Sequence, residues 1–445
     1  MNKIKPNSKK FIYFLLIIAI ILPIWQKSSY ADQTNNSNTN NNNENLTLYS
    51  NSSILIDAKT GQILNEHNAY EKTYPASTTK LMTAILTLEN CNLTDSVTIT
   101  NEAISGIPIS YTIAALQPNE VLTVEQLLHV LLIPSANDAA NVLACHIAGS
   151  IDDFSVMMNA KAKELGCQNT NFVNPSGIHN DEHYSTAYDM ALIGKYANTF
   201  EKIKEISSKT SYSLPNLPNG TQRNFKTTNT LITPTNKYYY EYAAGLKTGY
   251  TDKSKSCIVA KAQKDDIELI CVVLGGEKTE DLKSERELDC HTLFEYGFNN
   301  YDYYTICSQN NSLDKSNLTD IPTNLQNTDI IFSEDLNLLI NIDNYENITS
   351  NIDWENDLQL PIYKDTVVGS ITYDISGNPY TINLLSGTDI LPSEAANSIS
   401  QFFYILLGIL IIIIIITIFI NKRKNRFHRK CRSSKEPKYF KHSFY

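Results

Sequence analysis

An uncharged run from Phe402 to Ile420 restricts the possible folds of this chain more than any other feature of its sequence. A helix of this length measures about 30 Å, which equals the thickness of the hydrocarbon core of a bilayer. Seven Lys or Arg residues follow immediately, and such clusters remain on the cytoplasmic side of a membrane. The sequence therefore predicts a transmembrane helix at 402–420 and a basic cytoplasmic tail at 421–445, with the preceding chain outside the cytoplasmic membrane.

The first 31 residues have the three parts of a secretory signal peptide. Lysines open the chain, an apolar run extends from Phe11 to Trp25, and the small residues Ser29 and Ala31 precede a cleavage site after Ala31. An uncleaved anchor helix is the alternative, but the apolar run is short for a membrane span. We therefore expect residues 1–31 to be removed on export.

The charge of the chain is distributed unevenly. Residues 1–31 carry +5 and residues 421–445 carry +9 of a net charge of −10, which leaves −24 for residues 32–420. So acidic a region repels a phosphate backbone, and we expect no nucleic-acid partner.

Histidine and cysteine spacing indicates no metal site. Cys145, Cys257 and Cys271 lie in apolar runs and are predicted core residues. His179 and His183 are predicted to be surface residues.

Changes of pattern divide the exported chain into domains. Residues 32–47 are rich in Asn and predict a flexible linker. Residues 48–300 begin with a strand pair, continue with helical patterns, and end with three strands and a helix at Glu280–Tyr296 that Gly297 is predicted to stop. This order predicts an α/β (α+β) fold, in which an antiparallel sheet is flanked by helices and carries an all-α insert.

Residues 301–392 have a different sequence pattern, in which short β-rich segments alternate with clusters of Asn and Asp. They predict a small β-domain that acts as a spacer above the membrane, and residues 393–401 predict a linker to the transmembrane helix. The predicted β segments include Leu338–Ile342, Leu358–Tyr363, Val367–Tyr373 and Tyr380–Leu385.

Three short motifs carry the candidate chemistry. They are Ser77-Thr78-Thr79-Lys80 at a predicted helix start, Ser135-Ala136-Asn137 between two predicted helices, and Lys247-Thr248-Gly249 in a predicted strand. Each motif alone has a more ordinary explanation, such as a solvated helix, a helix cap or a turn. All three in this order and in these contexts are a strong signal.

The first motif is typical of a serine nucleophile. Residues three apart share a helix face, so the Lys80 amine lies beside the Ser77 hydroxyl, which is a weak nucleophile until a base takes its proton. Lysine acts as that base only when it is uncharged, and burial or a neighbouring cation lowers its pKa accordingly. On their loop, the Ser135 hydroxyl can pass protons between Lys80 and a leaving amine, and Asn137 can hold either Lys80 or the substrate amide.

The third motif is typical of a site for a terminal carboxylate. Lys247 supplies a cation and Thr248 a hydroxyl, while Gly249 allows a close approach of backbone. The edge of such a strand can also pair with an extended peptide.

With these motifs, residues 48–390 resemble the low-molecular-mass penicillin-binding proteins, the serine-type D-Ala-D-Ala carboxypeptidases of peptidase family S11. Four further segments are similar to those of the family: Phe172–Gly177, Tyr184–Met190, Thr228–Leu231 and Tyr296–Phe298. The sequence departs from the family at Ser254-Lys255, where many members have Ala-Gly, and at Ser176, where many have His.

The resemblance implies a role for each motif residue. Ser77 is the acyl-ester nucleophile, Lys80 its base, and Ser135 and Asn137 complete the proton network. The substrate carboxylate is bound by Lys247 and Thr248, with Arg286 in support. Backbone N–H groups of Ser77 and Tyr250, next to Gly249, form the oxyanion hole.

The implied reaction removes the terminal D-Ala from peptidoglycan stem pentapeptides, in cell-wall maturation and shape, and β-lactam antibiotics inhibit it by acylating Ser77. No cofactor is implied. The membrane is a further partner through the C-terminal helix.

Three other functions fit the motifs. A β-lactamase needs a group for fast deacylation, such as a Glu, and the sequence does not single one out. A DD-endopeptidase attacks a similar bond in cross-links. A non-catalytic wall-binding protein would have lost its site, whereas Ser77, Lys80, Asn137 and Lys247 are all intact.

Overall fold

The computed structural model describes residues 46–217, 219–276, 285–318, 320–343, 348–375, 378–392 and 394–432. The predicted signal peptide, residues 32–45 of the Asn-rich linker and residues 433–445 of the basic tail lie outside the described residues.

The N-terminal domain combines strands and helices. Its strands are β1 (Ser52–Asp57), β2 (Ile63–His67), β3 (Ser96–Thr98), β4 (Val121–Thr123), β5 (Ser211–Leu214), β6 (Arg223–Lys226), β7 (Ala243–Thr251), β8 (Lys255–Lys264) and β9 (Ile267–Gly276). Its helices are α1 (Lys80–Asn90), α2 (Asn101–Ile104), α3 (Val124–Leu132), α4 (Asn137–Ala148), α5 (Ile151–Glu164), α6 (Ala187–Ala197), α7 (Glu201–Ser207) and α8 (Glu285–Asn300).

Five strands form one antiparallel sheet in the order β2-β1-β9-β8-β7. Helices cover both of its faces, so β8 and β9 are buried along most of their length. Successive side chains of β1 enter different cores. Ile54 and Ile56 pack with the helices of the insert, whereas Leu55 packs with Phe294 of α8. The predicted fold class is confirmed.

The chain between β2 and β7 forms the predicted helical insert. It also contains two short strand pairs, β3–β4 and β5–β6, that the sequence pattern did not predict. Helix α1 is buried from Lys80 to Thr87. The turn that precedes α1 is therefore attached to a helix that is fixed in the core of the domain.

Helix α8 runs through Gly297 to Asn300, so the prediction that Gly297 ends this helix is wrong. A Cβ at Gly297 would lie 2.6 Å from Leu269 Cδ1 and 3.0 Å from Leu55 Cδ2. The glycine therefore permits the close approach of α8 to the sheet.

We expect Gly297→Ala to lower the free energy of unfolding, although alanine has the higher helix propensity. The added methyl group must displace Leu269 and Leu55, and overpacking of this kind costs about 1–3 kcal/mol. Urea denaturation measures the change, with Val156→Ala on the exposed face of α5 as the control. An unchanged or higher midpoint for Gly297→Ala would contradict this account of α8.

The C-terminal β-domain contains β10 (Tyr301–Cys307), β11 (Ile330–Phe332), β12 (Leu336–Asn341), β13 (Thr349–Trp354), β14 (Val367–Ile375) and β15 (Asn378–Ser386). A sheet in the order β11-β15-β14-β13 and the pair β10–β12 enclose a separate apolar core. The segment Leu358–Tyr363 is not a strand, so that prediction is wrong. Pro361 lacks the N–H that a ladder requires, and Ile362 forms an isolated bridge with Ile390.

Hydrogen bonds join the β-domain to the first hairpin of the N-terminal domain. The Tyr303 hydroxyl donates to Asp57 Oδ1 at 2.7 Å, and Gln62 Nε2 donates to the Leu339 carbonyl at 2.8 Å. Both contacts lie at the turn between β1 and β2, and they hold the two domains together there.

The C-terminal helix, α9 (Glu394–Arg432), includes the predicted span. An 18-residue stretch within its segment Gln401–Arg423 has a mean hydropathy of 3.3 and is not buried by other parts of the protein. Within the described residues it is the one helix long and apolar enough to cross a bilayer.

The cysteines agree with the sequence prediction in two of three positions. Cys257 and Cys271 are fully buried, whereas Cys145 lies in the last turn of α4 and is only partly buried at the edge of the core. The seven cysteines from Cys91 to Cys307 are free thiols.

Candidate active site

The candidate nucleophile, Ser77, lies in a tight turn, Ala76–Thr79, that leads directly into α1. Two glycines from other parts of the chain enclose this turn. A Cβ at Gly249 of β7 would lie 2.7 Å from Ser77 N, and a Cβ at Gly177 would lie 1.8 Å from the Ala76 carbonyl oxygen. Ala76 itself has a φ of +49°, a conformation that surrounding structure must enforce. The turn is thus fixed from two sides.

Lys80 begins α1, and its side chain is completely buried. Its Nζ lies 2.9 Å from Ser77 Oγ, 2.9 Å from Asn137 Oδ1 and 2.6 Å from the Ser176 carbonyl oxygen. Burial lowers the pKa of the Lys80 amine well below its ordinary value, the Lys247 cation lowers this pKa further, and the Asp138 carboxylate opposes both. The amine is therefore placed and tuned to exchange a proton with the Ser77 hydroxyl.

Ser135 lies in the connection between α3 and α4, and Asn137 is the first residue of α4. Asn137 accepts from Lys80 through Oδ1 and donates through Nδ2 to the Thr112 carbonyl at 2.8 Å, so its amide orientation is fixed. Ser135 is buried and has a φ of +69°. Its strained backbone resembles that of Ala76, and such strain gathers at functional sites.

Lys247 and Thr248 lie on β7, the edge strand of the sheet, and both are buried. Lys247 Nζ donates to the Thr248 carbonyl at 2.8 Å, and the Thr248 hydroxyl bonds to the Thr228 hydroxyl. Burial lowers the pKa of the Lys247 amine to about 7, with a smaller contribution from Arg286. A carboxylate partner would offset this desolvation by favouring the charged form of the amine.

Arg286 approaches the same strand from α8. Its Nη1 donates to the Gly249 carbonyl at 3.4 Å and to the Cys257 carbonyl at 3.3 Å, and its guanidinium pairs with Glu287. Arg286 therefore braces β7 behind the Lys247 site. Tyr250 follows Gly249, and its side chain is exposed.

We expect Arg286→Gln to move the alkaline limit of substrate binding to higher pH. The Lys247 amine loses its charge as pH rises through its pKa of about 7, and removing the neighbouring cation raises that pKa. The KM for a peptide with a free carboxylate, measured against pH, reports the shift, and Lys253→Gln in the turn after β7 serves as the control. An unmoved alkaline limb would show that Arg286 has no electrostatic effect on Lys247.

The segment before α6 contributes contacts that the sequence pattern did not predict. The Ser176 carbonyl accepts from both Lys80 and Ser77. Asn174 Oδ1 holds this turn by accepting from the N–H groups of Ser176 and Gly177 at 3.1 and 2.7 Å. Where many family members have His, Ser176 therefore contributes through its backbone.

His183 is buried, so its prediction as a surface residue is wrong. The Val173 N–H donates to its Nδ1 at 3.1 Å, so the ring proton is on Nε2, which lies 2.9 Å from Thr79 Oγ1. Burial lowers the pKa of the His183 ring to about 4. The neutral ring thus ties the Ser176 segment to the turn that carries Ser77. His179 is partly exposed and lies 3.3 Å from the Asp181 carboxylate.

Ser254-Lys255, which stand where many family members have Ala-Gly, still form a closed turn between β7 and β8. Ser254 Oγ accepts from the Thr251 N–H at 2.9 Å, and Lys255 takes a φ of +56°, a region that glycine occupies more easily. The β7–β8 turn is therefore closed by side-chain hydrogen bonds.

A buried lysine amine with a lowered pKa, held against a serine hydroxyl, is the arrangement required for acyl transfer to that serine. The fold and site therefore define a serine acyl-transfer enzyme. The family model described as D-alanyl-D-alanine carboxypeptidase (Peptidase S11) matches residues 37–278, and the model for the C-terminal domain of penicillin-binding protein 5 matches residues 301–390. The chain belongs to the S11 family of D-alanyl-D-alanine carboxypeptidases, which confirms the resemblance found in its sequence.

Individual relatives agree with this assignment. D-alanyl-D-alanine carboxypeptidase DacF of Bacillus subtilis is 33% identical over 309 residues, which cover 67% of this chain and 74% of that protein. DacA of Escherichia coli is 33% identical over 258 residues, which cover 56% of this chain and 60% of that protein. The structure of penicillin binding protein 5 from Haemophilus influenzae has a TM-score of 0.64 and 25% identity, and it covers 78% of this chain and 98% of that chain.

Proposed function

We propose that this protein removes the terminal D-Ala from peptidoglycan stem pentapeptides through an acyl-enzyme on Ser77. The observation that carries the proposal is the contact between the buried Lys80 amine and the Ser77 hydroxyl, 2.9 Å apart. Acyl transfer to serine needs a base at that position, and the family supplies the substrate class.

In the first step the uncharged Lys80 amine takes the Ser77 proton while Oγ attacks the carbonyl of the last peptide bond. The bond between that carbonyl carbon and the leaving nitrogen breaks, and the nitrogen receives a proton from the Lys80 ammonium by way of the Ser135 hydroxyl. Asn137 keeps the lysine side chain in place through its 2.9 Å contact. Free D-Ala departs, and water then hydrolyses the ester by the same proton route in reverse.

The oxyanion of each tetrahedral intermediate is proposed to bind the backbone N–H groups of Ser77 and Tyr250. The close fit of Gly249 against Ser77 N supports this, because it brings β7 alongside the nucleophile turn. Such donors act on charge that develops only in the transition state, and the loss of one typically costs about 3–4 kcal/mol.

The terminal carboxylate of the substrate is proposed to bind Lys247 and Thr248, braced by Arg286. A buried cation in contact with a carboxylate gives a strong, charge-assisted hydrogen bond. Penicillins carry a carboxylate beside a reactive amide, so the same groups would direct them to acylate Ser77.

The helix Gln401–Arg423 is proposed to anchor the enzyme in the cytoplasmic membrane. Its length, its hydropathy and the basic residues after it support a single span, with the catalytic domain outside and the tail inside. Residues 1–31 would serve as the signal peptide, and residues 301–392 as the spacer domain.

Release of D-Ala from a synthetic pentapeptide by residues 32–400 tests the function. One equivalent of D-Ala per peptide, none from a peptide ending in L-Ala, and none with Ser77→Ala would support the carboxypeptidase. Cleavage of cross-linked dimers in preference to the pentapeptide would instead support a DD-endopeptidase. Rapid turnover of penicillin would support a β-lactamase.

A further inference from the structure

The end of the β-domain from which the chain enters α9 carries exposed apolar side chains. Leu391 is 64% exposed, Tyr363 60%, Val367 41% and Leu360 36%. These four residues are called the exit surface below. Helix α9 begins at Glu394, three residues after Leu391.

Backbone hydrogen bonds hold the exit surface together. Ile362 and Ile390 exchange two of them, at 2.9 and 2.7 Å. The Asp365 N–H donates to the Ser386 carbonyl at 2.8 Å, and the Ser386 N–H donates to the Thr366 carbonyl at 2.9 Å. The segment from residue 360 to residue 367 is therefore fixed against the last segment before α9. Ile362 points into the core while its neighbours remain outside.

The chain keeps this surface near the proposed span. Three extended residues after Leu391 reach at most about 11 Å, and the helix from Glu394 to Gln401 adds about 10 Å. The interfacial layer on each side of a bilayer is about 5–8 Å thick. The exit surface therefore lies within about 21 Å of the start of the proposed span, a distance that allows contact with the lipid headgroups.

We propose that the exit surface rests on the outer leaflet of the cytoplasmic membrane, with Tyr363 and Leu391 in the headgroup layer. This inference rests on the membrane anchoring proposed above. Tyrosine favours this layer because its ring is apolar and its hydroxyl remains hydrated. The β-domain then does more than separate the catalytic domain from the membrane. By contacting the lipid surface, it also fixes the height and tilt of the catalytic domain.

Charge indicates the manner of contact. Lys364 is exposed at the exit surface, but so are Asp365 and Asp389, so the surface has no excess of positive charge for anionic lipids. Contact through apolar side chains depends little on salt, whereas attraction to anionic headgroups weakens as salt rises. We therefore expect the contact to persist at high ionic strength and with zwitterionic lipids.

Fluorescence quenching in the full chain tests the proposal. Trp25 and Trp354, the two tryptophans of the sequence, are replaced by Phe, and Tyr363→Trp supplies one reporter. Phosphatidylcholine vesicles brominated near the headgroup end of the acyl chains supply the quencher. Tyr239→Trp, at an exposed tyrosine of the catalytic domain, is the matched control. Unchanged far-UV circular dichroism and a single cooperative thermal unfolding transition confirm that both variants are folded.

The proposal predicts bromine quenching and a blue-shifted emission at position 363, retained in high salt, and neither effect at position 239. A chain that sediments with the vesicles but shows no quenching at 363 would overturn the inference and leave the anchoring standing. Protection of position 363 from aqueous iodide without bromine quenching would assign the surface to a protein partner and overturn it too. A chain that fails to sediment with vesicles would overturn the anchoring and the inference together.

Discussion

Lys80→Arg is expected to lower the rate of Ser77 acylation by about 10³-fold, within the range that a general base contributes. Arginine keeps a positive charge at the site but cannot lose its proton at any accessible pH. The variant therefore removes the base while retaining a cation near the Ser77 hydroxyl. The second-order rate of labelling by a fluorescent penicillin measures the loss.

Two controls separate this effect from a packing defect. Lys195→Arg makes the same exchange at a partly buried lysine that donates to the Thr60 carbonyl at 2.7 Å, and it should label at the normal rate. Lys80→Gln is smaller and uncharged, so it fits the pocket without bringing a charge, and it should be as slow as Lys80→Arg. A Lys80→Gln protein that is folded and labels at the normal rate would show that the base is another group.

Lys247→Gln is expected to lower kcat/KM for a pentapeptide by about 10- to 100-fold, because a hydrogen bond to a charged group contributes about 1.5–3 kcal/mol. The loss should depend on the charge of the substrate. A peptide with an amidated C-terminus cannot pair with the Lys247 ammonium, so the natural protein and the variant should process it at similar, low rates. Steady-state release of the terminal residue from both peptides measures the difference.

An equal loss for the free acid and the amide would contradict the proposed carboxylate site. Lys261→Gln serves as a matched control, because Lys261 is also a buried lysine of the sheet but pairs with Glu268. Lys261→Gln should lower the stability of the protein and leave the ratio of kcat/KM between the free acid and the amide unchanged.

Local patterns predicted the part of the site that depends on local structure. Ser77 and Lys80 meet because they are three residues apart at a helix start, and this spacing needs no knowledge of the rest of the chain. The short β-rich run around Lys247 likewise predicts a strand. Grouping the three motifs into one site depends on their order along the chain, which is typical of the family.

The contacts that the sequence did not predict come from residues far apart in the chain. The Ser176 carbonyl contacts Lys80, 96 positions away in the chain. Every residue has a backbone carbonyl, so the residue type does not indicate this contact. The sequence offers no ligand spacing for His183 and predicts it at the surface, but its ring is buried between the Val173 N–H and the Thr79 hydroxyl. Glycine often ends helices, so the sequence predicts a stop at Gly297, whereas the role of this residue depends on the sheet packed against it.

Acylation of Ser77 is the central claim, and peptide mass spectrometry after reaction with a fluorescent penicillin tests it most directly. The fragment of residues 32–400 is incubated with the penicillin, digested and searched for the modified residue, with Ser77→Ala in parallel. The account predicts one lasting adduct, on Ser77, and no adduct in the variant. An adduct on another residue, or none in a fragment shown to be folded, would contradict it.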